Sequence, residues 1–262
     1  MFKKKMLDEM SWTEVEELRK KVDTVLIPTG SVEVEGPHLP LAVDSIVALE
    51  VARRVAEGVE DVVVAPVINV TYSDWHMGFP GTLTLSLTTL IQVLREICGS
   101  LTEHGFKRIF FVNSHIGNDP AIWAIGNEMA RKSQARVGMI SLWPLSTEVA
   151  QDIPELKENK FLHAGEIMTS VVMAIRPDLV DMKKAKKEYL KPRIDSFTQV
   201  LSSKVKFKGR VVPVYHRSNE VTQSGVMGDP SAATKEKGEI ILNHMVSYIT
   251  EFVQEFKKMP VG

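Results

Sequence analysis

The chain has one cysteine, Cys98, in 262 residues, so an intramolecular disulfide is impossible. The lack of a cysteine cluster also disfavours an iron–sulfur or structural zinc site. Cys98 lies in LREICGSL, a pattern of helical period, and reads as a small buried hydrophobe rather than a nucleophile. No apolar run reaches the roughly 18 residues that a membrane-spanning helix needs. The basic start, MFKKKMLDEMSW, has no apolar segment of the kind a secretory signal requires. An excess of either charge is missing too: 32 Lys and Arg face 33 Asp and Glu. That removes a general attraction to nucleic acid or anionic lipid. KKK at 3–5 and KKAKKEYLKPR at 183–193 are short, interrupted and read as solvated surface. G-x-G-x-x-G, G-x-x-x-x-G-K-[ST] and G-x-S-x-G are all absent, so dinucleotide, P-loop and serine-hydrolase readings lose support. The expectation is a soluble cytoplasmic protein with a small-molecule substrate and neither nucleic acid nor membrane as partner.

What is present is an alternation of apolar runs and helical patterns. Ser11-Trp12-Thr13-Glu14 is a capping box opening a short helix. VDTVLIPT (22–29), DVVVAPVI (61–68), KRIFFVN (107–113) and RVGMISLW (136–143) read as strands. Helices are expected from about Asp44, over about 87–104, from Asp119 as N-cap with Pro120 first, and from near 163 to before Arg176-Pro177. Residues 178–230 are less regular, with strand-like KVKFKG and RVVPVYH, and read as an excursion before a closing helix at 232–256. The strands are continuous apolar runs rather than alternating ones, which fits a parallel sheet covered on both faces. The prediction is an α/β fold of three layers, with helices on both sides of a mostly parallel central sheet, in a single domain over 1–262.

In such a sheet, sites form at the carboxyl ends of the strands. Glu33, Glu35, His38 and Asp44 follow the first strand; Asp74 and His76 the second; Asn113, His115 and Asn118 the third; His163 and Glu166 the fourth. Carboxylates and imidazoles converging from separate strands match the preferences of Zn²⁺ and Mn²⁺. Each residue also has a plainer reading: Asp44 as a helix cap, Glu33 and Glu35 as solvated loop residues, His115 as a loop brace, His163 and Glu166 as a polar pair three apart on one helical face.

The sequence resembles the creatininase (creatinine amidohydrolase) family. GSVEVEGPHLPLAVD (30–44) is similar to its G-S-x-E-Q-H-G-P-H-L-P-L-x-T-D motif, and FPGTLTL (79–85) to F-P-G-T-[IL]-[ST]-L. FVNSHIGN (111–118) resembles V-N-G-H-G-G-N, LHAGEIMTS (162–170) resembles H-A-G-E-x-E-T-S, and GVMGDPSAATKEKG (225–238) resembles a late family segment. The resemblance implies a metal-dependent hydrolase with two divalent ions, Zn²⁺ or Mn²⁺, with Fe²⁺ a further option. Its ligands would be Glu33, Glu35, Asp44, His115 and Glu166, with Asp44 both helix cap and bridge between the ions. His163 and Glu166 would be catalytic, His163 as acid or orienter of the substrate. His38, Trp75, His76 and Trp143 would contact substrate, although His38 behind Pro37 could instead brace its loop. Three departures stand out: Glu35 where the motif has histidine, Met168 where it has glutamate, and Ile116 where it has glycine. Ile116 is expected to narrow the space beside His115. The implied reaction is attack of activated water on the carbonyl of a small, polar, cyclic substrate. Either a cyclic amide C–N bond or the C–C bond of a cyclic polyhydroxy diketone would be cut. The alternatives are an amide deformylase and a metal-poor, inactive binding relative. A homo-oligomer, a hexamer by analogy, is expected.

Overall fold

The computed structural model describes residues 4–132, 135–158 and 160–261. Helix α1 (Trp12–Leu18) opens on the predicted capping box, in which Ser11 Oγ accepts the Glu14 N–H and the Glu14 carboxylate accepts the Ser11 N–H. β1 (Thr24–Thr29) follows and is buried at every position, so it needs cover on both faces. After a long loop come α2 (Val43–Gly58) and β2 (Val62–Val64). Then α3 (Leu87–Glu103) leads into β3 (Arg108–Asn113), α4 (Asp119–Lys132) and β4 (Arg136–Ser141). The four strands form one sheet, order β2-β1-β3-β4, with every pair parallel.

The strand side chains alternate between two cores. Leu26, Val62, Val64, Phe110 and Val112 pack beneath α2 and three later helices, α5 (Leu142–Ala150), α6 (Glu166–Ile175) and α7 (Lys235–Phe256). Val25, Ile27, Val63, Ile109 and Phe111 pack beneath α1, α3 and α4. The result is the expected three-layer α/β arrangement. Each fully buried valine or leucine contributes about 1.5–3 kcal/mol relative to exposure. Cys98 is buried in the second core, and burial pushes its thiol up to about 12.

Several boundaries differ from the sequence reading, each for a local reason. β2 is three residues long because the next rung of its ladder with β1 needs an N–H from Pro28, which has none, although Ala65 and Ile68 still donate to Leu26 and Pro28. β4 stops at Ser141, and α5 begins at once, turning Trp143 inward. α4 starts at Asp119 after a 3₁₀ turn, so Asp119 lies inside the helix and is not its cap; its carboxylate instead accepts from Asn113 and Ser141. α6 starts at Glu166 rather than near 163, leaving His163-Ala164-Gly165 as a turn with Ala164 at φ 54°. The excursion holds a second, antiparallel sheet of β5 (Thr198–Leu201), β6 (Lys204–Phe207) and β7 (Arg210–Pro213). Among the described residues no helix is long and apolar enough to cross a membrane.

The sheet register sets the position of the site. Thr29 of β1 lies level with Asn113 of β3, and Asn113 with Ser141 of β4. The loops leaving these three strands therefore start side by side. Asn118 stitches two of them, donating to the Gly30 carbonyl at 3.0 Å and to Asn113 Oδ1 at 3.1 Å.

Candidate metal centre

Glu33 leaves β1 through Gly30, where a Cβ would stand 2.3 Å from the Ser45 backbone nitrogen, so only glycine lets the chain pass α2 this closely. Asp44 sits in the first turn of α2, where Ala42 supplies no side-chain cap; Asp44 is thus not the cap, and its carboxylate faces inward. His115 follows β3, and His76 ends a 3₁₀ turn beyond β2. His163 lies in the turn before α6. These five side chains form two clusters of three, and Glu33 belongs to both. One is Glu33, Asp44 and His115; the other is Glu33, His76 and His163. Within them Glu33 Oε1 is 3.4 Å from His115 Nδ1, 3.4 Å from His76 Nε2 and 3.6 Å from His163 Nε2, while His115 Nδ1 is 3.2 Å from Asp44 Oδ2.

Two of the imidazoles are fixed from behind. His115 Nε2–H donates to the Tyr72 carbonyl at 2.9 Å, which leaves Nδ1 to face the carboxylates. His163 Nδ1–H donates to the Gly225 carbonyl at 3.0 Å, which leaves Nε2 to face Glu33 and Glu35. A backbone carbonyl holding one ring nitrogen so that the other presents its lone pair is the usual second layer of a metal-binding histidine. Trp75 stacks on His115 with centroids 5.4 Å apart, and His76 stacks on His163 at 5.1 Å. Gly117 makes room for this: a Cβ there would stand 2.4 Å from the Trp75 ring and 2.5 Å from His115 Nε2. Ile116, next to His115 in the chain, is 43% exposed and lies in the cavity wall.

Both oxygens of Asp44 have partners. Oδ2 accepts from Ser31 at 3.0 Å and faces His115, and Oδ1 accepts the Trp143 indole N–H at 2.7 Å. Glu33 is the carboxylate common to the two clusters, and Asp44 belongs to one of them. Burial pushes the Glu35 carboxyl up, and Asp44 and Glu33 push it further. Burial would raise Glu33 as well, but His115 and His76 outweigh it and hold that carboxyl well below the usual range. Burial lowers His76 to about 3. For His115 the burial effect is overcome by Glu33 and Asp44, which hold it well above the ordinary imidazole value.

The residues present fit a divalent cation. Glu33 Oε2, both Glu35 oxygens, His76 Nδ1 and His163 Nε2 are buried without a hydrogen-bond partner. Buried carboxylates and imidazoles left in that state are costly, and a cation relieves the cost. The clusters lie on the floor of a cavity of about 540 Å³. The family model described as creatinine amidohydrolase matches residues 8–253. The chain belongs to the creatininase family. Among curated relatives, it is 32% identical to a mycofactocin precursor peptide peptidase of Mycolicibacterium smegmatis, covering 92% of this chain and 88% of that protein. It is 28% identical to a creatinine amidohydrolase of Pseudomonas putida, covering 97% and 98%. A solved manganese creatininase superposes with a TM-score of 0.79 at 26% identity, covering 97% of this chain and 98% of that one. The creatininase fold and a hydrolase activity follow.

Against this frame the remaining expected site residues separate. Trp75, His76 and Trp143 line the cavity, and His76 is also in a ligand cluster. His163, expected to be catalytic, sits in the same cluster. Glu35 is buried with Oε2 3.2 Å from His163 Nε2, but joins neither cluster. His38 is not in the cavity wall; its Nε2 pairs with Thr169 Oγ1 at 3.0 Å and it braces α6. Glu166, expected both to ligate and to catalyse, is in neither cluster. Its Oε1 accepts from Lys237 at 2.6 Å, and its Oε2 from the N–H groups of Lys157 and Glu158, each at 2.8 Å. Glu158 answers by accepting the Glu166 N–H at 2.7 Å and the Asp229 N–H at 2.5 Å. This reciprocal latch was missed in the sequence, because nothing local marks Glu158; Lys237 was visible only as part of the late family segment.

Proposed function

We propose that this creatininase-family hydrolase is metal-dependent and cuts an amide C–N bond. The observation that carries the reading is the pair of imidazoles, His115 and His163, each tied to a backbone carbonyl and presenting its free nitrogen to Glu33. Glu33, Asp44 and His115 would hold one divalent cation, and Glu33, His76 and His163 a second, with Glu35 as the nearest further donor. A set of three imidazoles and two carboxylates, with Glu35 beside them, suits Mn²⁺, Zn²⁺ or Fe²⁺. Such cations, when bound, make water a nucleophile at neutral pH and polarise a carbonyl oxygen.

The chain's own residues do the positioning. Trp143 and Ser31 fix the Asp44 carboxylate in one orientation. Tyr72 and Gly225 fix the two ring tautomers. Trp75, Trp143 and Phe161 wall the cavity and keep bulk water from the floor, which strengthens every charge interaction there. In this reading His163 serves as a ligand rather than as the acid for the leaving group. The C–C bond of a cyclic polyhydroxy diketone is the competing target, and Asp74, Ser202, Ser203 and His216 in the wall would suit its hydroxyls; the C–N reading is supported by relatives named as a peptidase and a creatinine amidohydrolase.

Elemental analysis tests the reading. Wild-type protein is expected to hold two divalent ions per chain, Asp44→Asn one, and Glu33→Gln neither, because Glu33 is shared. Activity on cyclic and linear amides should fall on the order of 10²–10³-fold in either variant. Purified protein that takes up no Mn²⁺, Zn²⁺ or Fe²⁺ sinks the proposal, and turnover of a cyclic diketone but no amide replaces the C–N assignment.

A further inference from the structure

The cavity has a second end. Its floor carries Glu33 and Asp44, while its rim includes Leu201, Ser202, Ser203, Tyr215, His216 and Arg217. These rim residues flank the antiparallel sheet. Two hydrogen bonds zip the rim strands together: Val214 N–H to the Ser203 carbonyl and His216 N–H to the Ser202 carbonyl, both 3.0 Å. The next turn is anchored twice. Glu220 accepts the Arg217 N–H at 3.1 Å, and Asn219 lies over Gly78, where a Cβ would come 2.3 Å from its side chain. Gly78 belongs to the loop that carries His76, so the rim is pinned to the ligand-bearing loop.

Among the described residues, Arg217 is the only lysine or arginine in the cavity wall. Its backbone is held, its side chain is exposed, and among the described residues its guanidinium has no ion-pair partner. Beside it Tyr215 is 82% exposed, and Ile116 lies in the same wall. An unpaired guanidinium in a wall that also holds aromatic and aliphatic side chains is the chemistry that receives a planar anion joined to an apolar body. With one guanidinium and no lysine beside it, the rim matches the single charge of a carboxylate better than a phosphate dianion.

We propose that Arg217 is a specificity residue: the substrate carries a carboxylate that Arg217 binds at the rim, and an apolar or aromatic segment that spans from there to the floor. This rests on the metal reading of the Glu33 floor. The probe is a series of phenyl hydroxamates with a para carboxylate on one to three methylenes, each paired with its carboxamide. Binding to manganese-loaded full-length protein is followed by quenching of Trp75 and Trp143. For at least one spacer the carboxylate is expected to bind at least tenfold tighter than the carboxamide. Arg217→Ala should abolish that preference without weakening the carboxamide, and Arg217→Lys should keep part of it. Equal binding of every pair by wild type, or a preference that survives Arg217→Ala, overturns the proposal while the metal reading stands. Failure of every hydroxamate to bind overturns both.

Discussion

The indole N–H of Trp143 occupies one oxygen of Asp44, and Ser31 and His115 face the other. Trp143→Phe keeps the ring stacked on Phe161 but removes the donor. A buried charged acceptor losing its partner costs about 1–3 kcal/mol. The expected outcome is a 10–100-fold lower kcat with both ions retained, read by steady-state kinetics beside elemental analysis; an unchanged kcat would show the bond to be dispensable. Gly117→Ala pushes a methyl into Trp75 and His115 and is expected to lower metal content together with activity. His38 supplies a pH effect distant from the floor. Burial lowers it from 6.5 to about 4. Between those values the unfolded chain binds a proton that the folded protein refuses, so stability falls as pH drops through that window, by up to roughly 3 kcal/mol. Urea midpoints measured from pH 7 to pH 4 should fall less steeply in His38→Gln; an identical slope would assign the acid sensitivity to other groups.

At the scale of elements, α6 and the turn before it act together. Ala164 holds a left-handed backbone that costs a non-glycine residue about 1–2 kcal/mol, and it directly follows His163. The Glu158–Glu166 latch and Lys237 keep that turn in place. Glu166→Gln is therefore expected to lower the melting temperature by several degrees while leaving both ions bound, by calorimetry and elemental analysis. Loss of a stoichiometric ion would return Glu166 to the ligand set. The same region marks how far the sequence could be read. The four central strands were legible because burial on both faces leaves long apolar runs. α5 was not, since its start continues the apolar run of β4, and its N-cap Ser141 donates its hydroxyl to Asp119 instead of capping the helix. Glu33, Asp44 and His115 were legible as chemistry at strand ends. The meeting of His76 with His163 was not, because two loops 87 residues apart carry no periodicity that announces contact.

Across the whole molecule the cavity is assembled from two kinds of chain. The floor comes from the ends of a rigid parallel sheet, whereas the rim comes from one continuous stretch around β5–β7. Replacing residues 201–215 by a short Gly-Ser link is expected to keep both ions and most of the thermal stability, because the two large cores draw on this stretch for nothing. Substrate preference should change instead, checked by the same amide panel; loss of metal would show that the rim holds the floor together.

That division gives the fold a way to diversify. A duplicated gene could exchange the stretch around β5–β7 in a single recombination event and acquire a new diet, while the hydrolytic machinery beneath passed down unaltered.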